Sequence, residues 1–442
     1  MRQPTNEFLA ARSIRPISNR SEQRRLQLTD IRLDNGLRLI VHPDRSSPVV
    51  AVHVMYHVGS KNERPGMTGF AHLFEHLLFQ GSEHVEGTSH MRLIQDAGGT
   101  MNGTTWFDRT NYFETVPNNR LDLALWLEAD RMGFFLPAIS QAKLDNQRDV
   151  VKNERRQSYE NRPYGLAVET VLREAFPDNH PYGHPTIGCM EDLDRASLDD
   201  VLAFFRAHYG PANATLVVAG DVEVGAAIDR VQHWFGDIDG EAPPPPPAIP
   251  AVPRREARAV IQDDVSVPRV YLAFPAPSFT ATGYEAADVL SSLLAEGRSS
   301  RLYRSLVVEQ QVAADVTAYV WPTECVGMLW VVATARPGVD AASLEGAIRE
   351  ILTGLLIDGP TSCELTGARN RARRQLVQRL DSVGHRADLI AHAAVYRDEP
   401  GYVNTVFDAY AGVELADLAA EAERLFAGGS GTTLHVVPEV TP

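Results

Sequence analysis

At 442 residues the chain is longer than one compact core holds, and 44% hydrophobic with 22% charged residues is the composition of a folded globular protein, which excludes wholly disordered and fibrous classes. A formal net charge of -15 excludes nucleic acid as a partner, because duplex binding relies on Lys and Arg neutralising phosphates; it suits cationic substrates or simple solubility. Cys189, Cys325 and Cys363 are far apart with no CxxC, which argues against a disulfide framework or a thiolate metal site and leaves them as small apolar core residues.

Residues 1–25 carry six arginines and no sustained apolar run, so they read as a flexible N-terminal segment rather than a signal peptide. No stretch approaches about 18 apolar residues, so no membrane-spanning helix is expected. A cytoplasmic protein is the expectation, with the periplasm as the alternative if an export signal has been removed.

The first strand signal is Pro48-Val49-Val50-Ala51-Val52. His53 and His57 follow in a strand-like run, where four residues span about 13 Å and two rings cannot close on one ion. Gly69 to Phe79 then gives a helix with apolar residues around the polar set His72, Glu75 and His76. On a helix His72 and His76 stand at i and i+4 on one face, about 6 Å apart, which suits two imidazoles meeting one tetrahedral zinc. Glu75 lies beside that face, where a carboxylate can take a proton from a water. This H-x-x-E-H order is the inverse of the H-E-x-x-H zinc motif.

Farther on, Leu144 to Tyr159 reads as a long helix carrying Glu154, a candidate third ligand that spacing alone does not separate from Glu160. His180 and His184 bracket Pro181-Tyr182-Gly183, a turn, and belong to a loop at the side of a cleft. Ala214 to Val218 is a further strand, and Pro243 to Pro247 with Pro250 and Pro253 forms a semi-rigid linker near the middle of the chain.

Displacing the sequence by about 218 residues brings the halves into register. Ala214-Val218 then meets Thr432-Val436, Pro48-Val52 meets Pro268-Leu272, Leu77-Gly81 meets Leu293-Gly297, and Arg155-Gln157 meets Arg373-Gln375. The second half has Asp288, Ser291 and Ser292 in place of His72, Glu75 and His76, and Ala372 in place of Glu154. All four chemical groups vanish together while the helices persist, so helix packing does not require them. The expected fold is α+β: two homologous domains, each a mainly antiparallel sheet with helices on one face. Their expected limits are 26–240 for the zinc-bearing domain, 241–254 for the linker and 255–442 for the domain without ligands.

Together the HLFEH helix, the Val150-Val151-x-Asn153-Glu154 helix, the Gly98-Gly99-Thr100-Met101-Asn102 turn and strand, and Ala219-Gly220-Asp221 resemble the pitrilysin/insulinase family of zinc metallopeptidases, which includes the mitochondrial processing peptidases. The resemblance implies zinc as cofactor, Glu154 as third ligand, and Glu75 as catalytic base. It implies that an extended peptide adds to the strand Met101-Thr105, with Asn102, Gly103 and Thr104 as substrate contacts. The family's outer glutamate, which supports the metal ligands from seven residues before the third one, is here Gln147. Active members also carry, in the second domain, an arginine and a tyrosine that hold the substrate carbonyl; the matching positions here are Val307 and Ala314. The resemblance therefore implies a heterodimer in which a homologous subunit supplies that pair and closes a chamber around unfolded peptides. Arg298, Arg301 and Tyr303 lie nearby as substitutes that would allow a homodimer. A catalytically silent assembly subunit, as some relatives are, is the alternative reading, and a zinc hydrolase acting on another bond is a third.

Overall fold

A computed structural model describes residues 25–252, 256–429 and 431–439. The expected N-terminal segment therefore falls, apart from Arg25, outside the described residues, as does Pro253. Two mixed sheets organise the rest. The first contains β1 (Thr29–Arg32), β2 (Arg38–Pro43), β3 (Val49–Tyr56), β4 (Thr100–Thr105), β5 (Thr110–Pro117) and β6 (Ala214–Gly220), in the order β1-β2-β6-β3-β5-β4. The second contains β7 (Glu256–Asp263), β8 (Arg269–Ala276), β9 (Ala313–Val320), β10 (Gly327–Ala335) and β11 (Gly431–Pro438), in the order β7-β11-β8-β10-β9.

The repeat in the sequence is a repeat of topology. In each sheet one pair is parallel, β2 with β6 and β7 with β11, and every other pairing is antiparallel. Strands β3 and β8, and β6 and β11, which the sequence offset aligns, occupy matching places, and β4 and β9 are matching edges.

Five helices of the first half matter for the site: α1 (Phe70–Leu77), α2 (Ser89–Asp96), α3 (Leu121–Phe134), α4 (Gln141–Arg155) and α5 (Ala167–Ala175). The first core packs α1 and α3 on the face of the sheet made by Val52, Val54, Tyr56, Tyr112, Leu216 and Val218. Strand alternation turns Ala51, Met55 and Val217 to the opposite face, where Ala387, Ile390, Ala391 and Ala394 of the helix Val383–Arg397 cover them. The exchange is reciprocal, because Val171 and Leu172 of α5 pack on Tyr271, Trp330 and Leu434 of the second sheet. Helices on one face thus describes each half alone; in the whole chain each half lends a helix to the other's free face. Burying both faces removes apolar area worth about 25 cal/mol per Å² and locks the halves together.

The cysteines depart from expectation. Cys325 and Cys363 are exposed, Cys189 is half-buried, and all three are free thiols. Cys325 sits in the β9–β10 turn and Cys363 in the first turn of a surface helix, so neither reaches a core. Within the proline-rich stretch, Ile249 and Val252 pack against the second sheet's outer core and the Pro250 carbonyl lies 3.0 Å from His180 Nε2. Among the described residues no helix is long and apolar enough to cross a membrane.

Candidate active site

Helix α1 is two turns long and starts from Gly69 in a left-handed conformation (φ 89°). A Cβ at that position would lie 2.5 Å from the Ile187 carbonyl oxygen, so only glycine fits. Phe70, Leu73, Phe74 and Leu77 bury one face, which turns His72, Glu75 and His76 toward α4 and β4. On α4 the residues Leu144, Gln147, Val151 and Glu154 form one stripe at helical spacing, the first three buried. Arg155 fixes that helix: its guanidinium bonds the Gly188 carbonyl at 2.6 Å and Glu169 at 2.9 Å.

The two helices bring the expected ligands together. Glu154 Oε2 lies 3.8 Å from His72 Nε2 and 3.4 Å from His76 Nε2, and the imidazole centroids are 4.8 Å apart and nearly perpendicular. Metal–nitrogen and metal–oxygen bonds of about 2.1 Å in a tetrahedron put neighbouring ligand atoms about 3.4 Å apart, and the three candidate ligand atoms here all lie within 4.8 Å of one another, close enough to converge on one zinc. Burial, reinforced by His76, lowers the His72 pKa to about 4, which leaves a neutral ring with a lone pair at neutral pH. His72 Nδ1 is buried without a hydrogen-bond partner, so the ring's polar contacts all lie on its Nε2 side. The bond to His76, followed by the charges of both rings, holds the Glu154 carboxyl below its usual value. Glu160 pairs instead with Arg155 Nε at 3.5 Å.

Among the described residues two other groups have similar ligand types, and in each an internal cation pairs with the carboxylates. His90, Glu114 and Glu128 are fully buried around Arg131, and Asp108 with Glu324 is bridged by Lys61 Nζ. Among the described residues no Lys or Arg forms an ion pair with Glu154.

Glu75 accepts a hydrogen bond from Thr105 Oγ1 at 2.7 Å. Burial raises the Glu75 carboxyl above its usual value, and the Thr105 bond works the other way. Sequence reading missed Thr105, although strand alternation could have found it: Gly103 and Thr105 face α1, whereas Thr104 faces away and bonds Asn111 Oδ1 at 2.6 Å. Strand β4 is the free edge of its sheet. Because Trp106 N donates to Arg109 O, the alternation of the antiparallel ladder turns the backbone groups of Met101, Gly103 and Thr105 outward. The outward Gly103 N–H is occupied by its neighbour's side chain, Asn102 Oδ1, at 2.9 Å. Gly103 is also where a Cβ would press on the Phe79 ring at 3.0 Å. Gln147 is buried on the stripe of Glu154, and its amide donates to Asn146 Oδ1 rather than to either histidine.

Family models match both halves: insulinase (peptidase family M16) over residues 38–189 and peptidase M16 inactive domain over residues 195–372. The chain belongs to the insulinase, or M16, family. The zinc protease PqqE of Helicobacter pylori is 29% identical over 416 residues, covering 92% of each chain. The crystal structure of a protease from Helicobacter pylori matches with a TM-score of 0.88 at 28% identity, covering 93% of this chain and 100% of that one. A probable mitochondrial-processing peptidase subunit beta of Arabidopsis thaliana is 23% identical, covering 79% of this chain and 67% of its own.

In the second half of this M16 chain, Ser292 and Ala372 occupy the places of His76 and Glu154. There Ser292 Oγ donates to Glu296 at 2.8 Å, Arg371 Nε donates to Ser292 Oγ at 3.0 Å, and Gln375 donates to Glu296 at 2.9 Å. A polar clasp joins the two helices where the first half has ligands. Val307 is buried and Ala314 is exposed on β9, and neither side chain donates a hydrogen bond. Of the nearby substitutes, Arg301 is committed to Glu364 and to the Gly359 carbonyl at 2.7 Å. His53 lies buried in β3 beside Asn111, His57 follows the strand and pairs with Glu324, and His180 and His184 line an 830 Å³ cleft; none of these joins the ligand cluster.

Proposed function

We propose that the protein is a zinc-dependent endopeptidase subunit acting on unfolded peptides, with His72, His76 and Glu154 holding the metal and Glu75 as the catalytic base. The observation that carries this reading is the convergence of three potential ligand atoms within 4.8 Å of one another, with the Glu75 carboxylate held beside them by Thr105 of the edge strand. Zinc, when bound, supplies Lewis acidity toward the scissile carbonyl and the attacking water. Glu75 takes the proton of that water and returns it to the leaving amine, while Thr105 keeps its carboxylate aimed. Met101 and Thr105 offer backbone groups to an extended peptide, and Asn102 gives up Gly103 N–H to it. Gln147, standing where the family has an outer glutamate, lowers metal affinity or ligand basicity relative to that arrangement.

The zinc-bearing domain in this reading spans 26–240, the linker 241–254 and the metal-free domain 255–442. Since Val307 and Ala314 cannot hold an oxyanion, a homologous subunit supplies an arginine and a tyrosine, and the two chains close a chamber; a homodimer using Arg298 and Tyr303 is the alternative. The cytoplasm is the proposed compartment. The test is a peptide-turnover assay of the chain alone and with a homologous subunit from the same genome. Glu75→Gln is expected to keep zinc and lose turnover. Unchanged turnover in that variant would instead favour the silent assembly subunit, and strong activity of the chain alone would refute the division of labour.

A further inference from the structure

The residue that begins α1 cannot cap it. Gly69 has no side chain, and nothing larger fits under the Ile187 carbonyl. A two-turn helix cannot share the cost of its open N–H groups over many later turns, so its first turn needs an acceptor from elsewhere. Glu63 provides it: Oε2 accepts from Gly69 N at 3.0 Å and Oε1 from Ala71 N at 2.7 Å. The Glu63 side chain is 0% exposed and burial pushes its carboxyl up, opposed by the bonds from the Ala71 and Gly69 amides; His184, with Nδ1 at 3.7 Å, and Asp192 are ionisable groups beside it. A carboxylate at this end also meets the positive pole of the helix.

The turn that carries Glu63 is itself indexed to the substrate edge. Ser60 N and Lys61 N donate to the Trp106 and Phe107 carbonyls at 3.2 and 2.9 Å. Lys61 Nζ lies 3.1 Å from Asp108 Oδ1 and also pairs with Glu324 of the second half. The β4–β5 hairpin therefore holds α1 twice, through Glu63 at its start and through Thr105 at Glu75.

We propose that Glu63 is a positioning residue for the metal helix, fixing the height and rotation of α1 so that His72 and His76 face Glu154. The inference rests on the metal-site reading above. In a Glu63→Gln chain one oxygen still accepts, but the amide N–H₂ opposes the other backbone N–H. Zinc affinity, measured by chelator competition, is expected to weaken by about tenfold or more, and the visible spectrum of the cobalt(II)-loaded chain to change in position or intensity. Metal-free thermal unfolding is expected to stay cooperative. Zinc affinity and a cobalt spectrum both matching the wild type would overturn the proposal. Should the glutamine chain not fold, Glu63→Asp, which keeps the charge but is one methylene too short to span both amides, carries the same expectation and the same refutation. A wild-type chain that binds no zinc sinks the metal reading itself, whereas a wild-type chain that binds zinc as tightly as its Glu63 variant sinks this inference alone.

Discussion

Thr105→Val removes one hydroxyl from the site and keeps the shape of an edge-strand residue. In the structure that hydroxyl is 2.7 Å from Glu75 Oε2 and touches none of the three ligands. Without it the Glu75 side chain regains rotamer freedom, worth about 1.5 kcal/mol for a glutamate. At about 1.4 kcal/mol per factor of ten, kcat for an unfolded peptide should fall about tenfold. KM and zinc content should not move, because the backbone of β4 and the ligands are untouched, and Thr105→Ser should restore the rate by keeping the donor. Steady-state kinetics on the zinc-loaded protein, assayed with its partner subunit if one is needed, measures the effect. An unchanged kcat would refute the idea that the hydroxyl aims the base.

Three further outcomes follow from the same geometry. Lys61→Met strips Asp108, which is 0% exposed, of its cation, and should lower unfolding stability by about 3 kcal/mol in a urea titration. Burial would raise the Glu345 carboxyl, but bonds from Arg258, Arg349 and His435 overcome it and hold it at about 2. A depressed folded-state value stabilises above the unfolded carboxylate range, so the stability difference between wild type and Glu345→Gln should be full above about pH 5 and vanish as pH falls toward 2. Gly103→Val forces a side chain against Phe79, which packs behind α1, and should reduce turnover even with zinc bound.

The HLFEH helix was legible because its logic is local: two imidazoles one turn apart need only a helix to share a face. The duplication was legible too, because strand and helix signals recur at one offset, and the matched orders of the two sheets bear it out. What sequence could not give were the partners from distant segments. Thr105 meets Glu75 across 30 residues, Lys61 meets Glu324 across 263, and the helix Val383–Arg397 crosses to the other half's sheet. The alternation of β4 held the clue to Thr105, but which face met α1 depended on the packing of the sheet. The cysteine expectation failed for a different reason: residue type gives an average burial, and a hairpin tip and a helix's first turn override it.

Zinc content tests the account most directly. Purified chain supplied with zinc and dialysed should retain one ion per chain by elemental analysis, and His72→Ala, His76→Ala and Glu154→Ala should each lose it while folding normally. A wild-type chain without bound zinc, or a Glu154→Ala chain that keeps it as tightly, would contradict the claim.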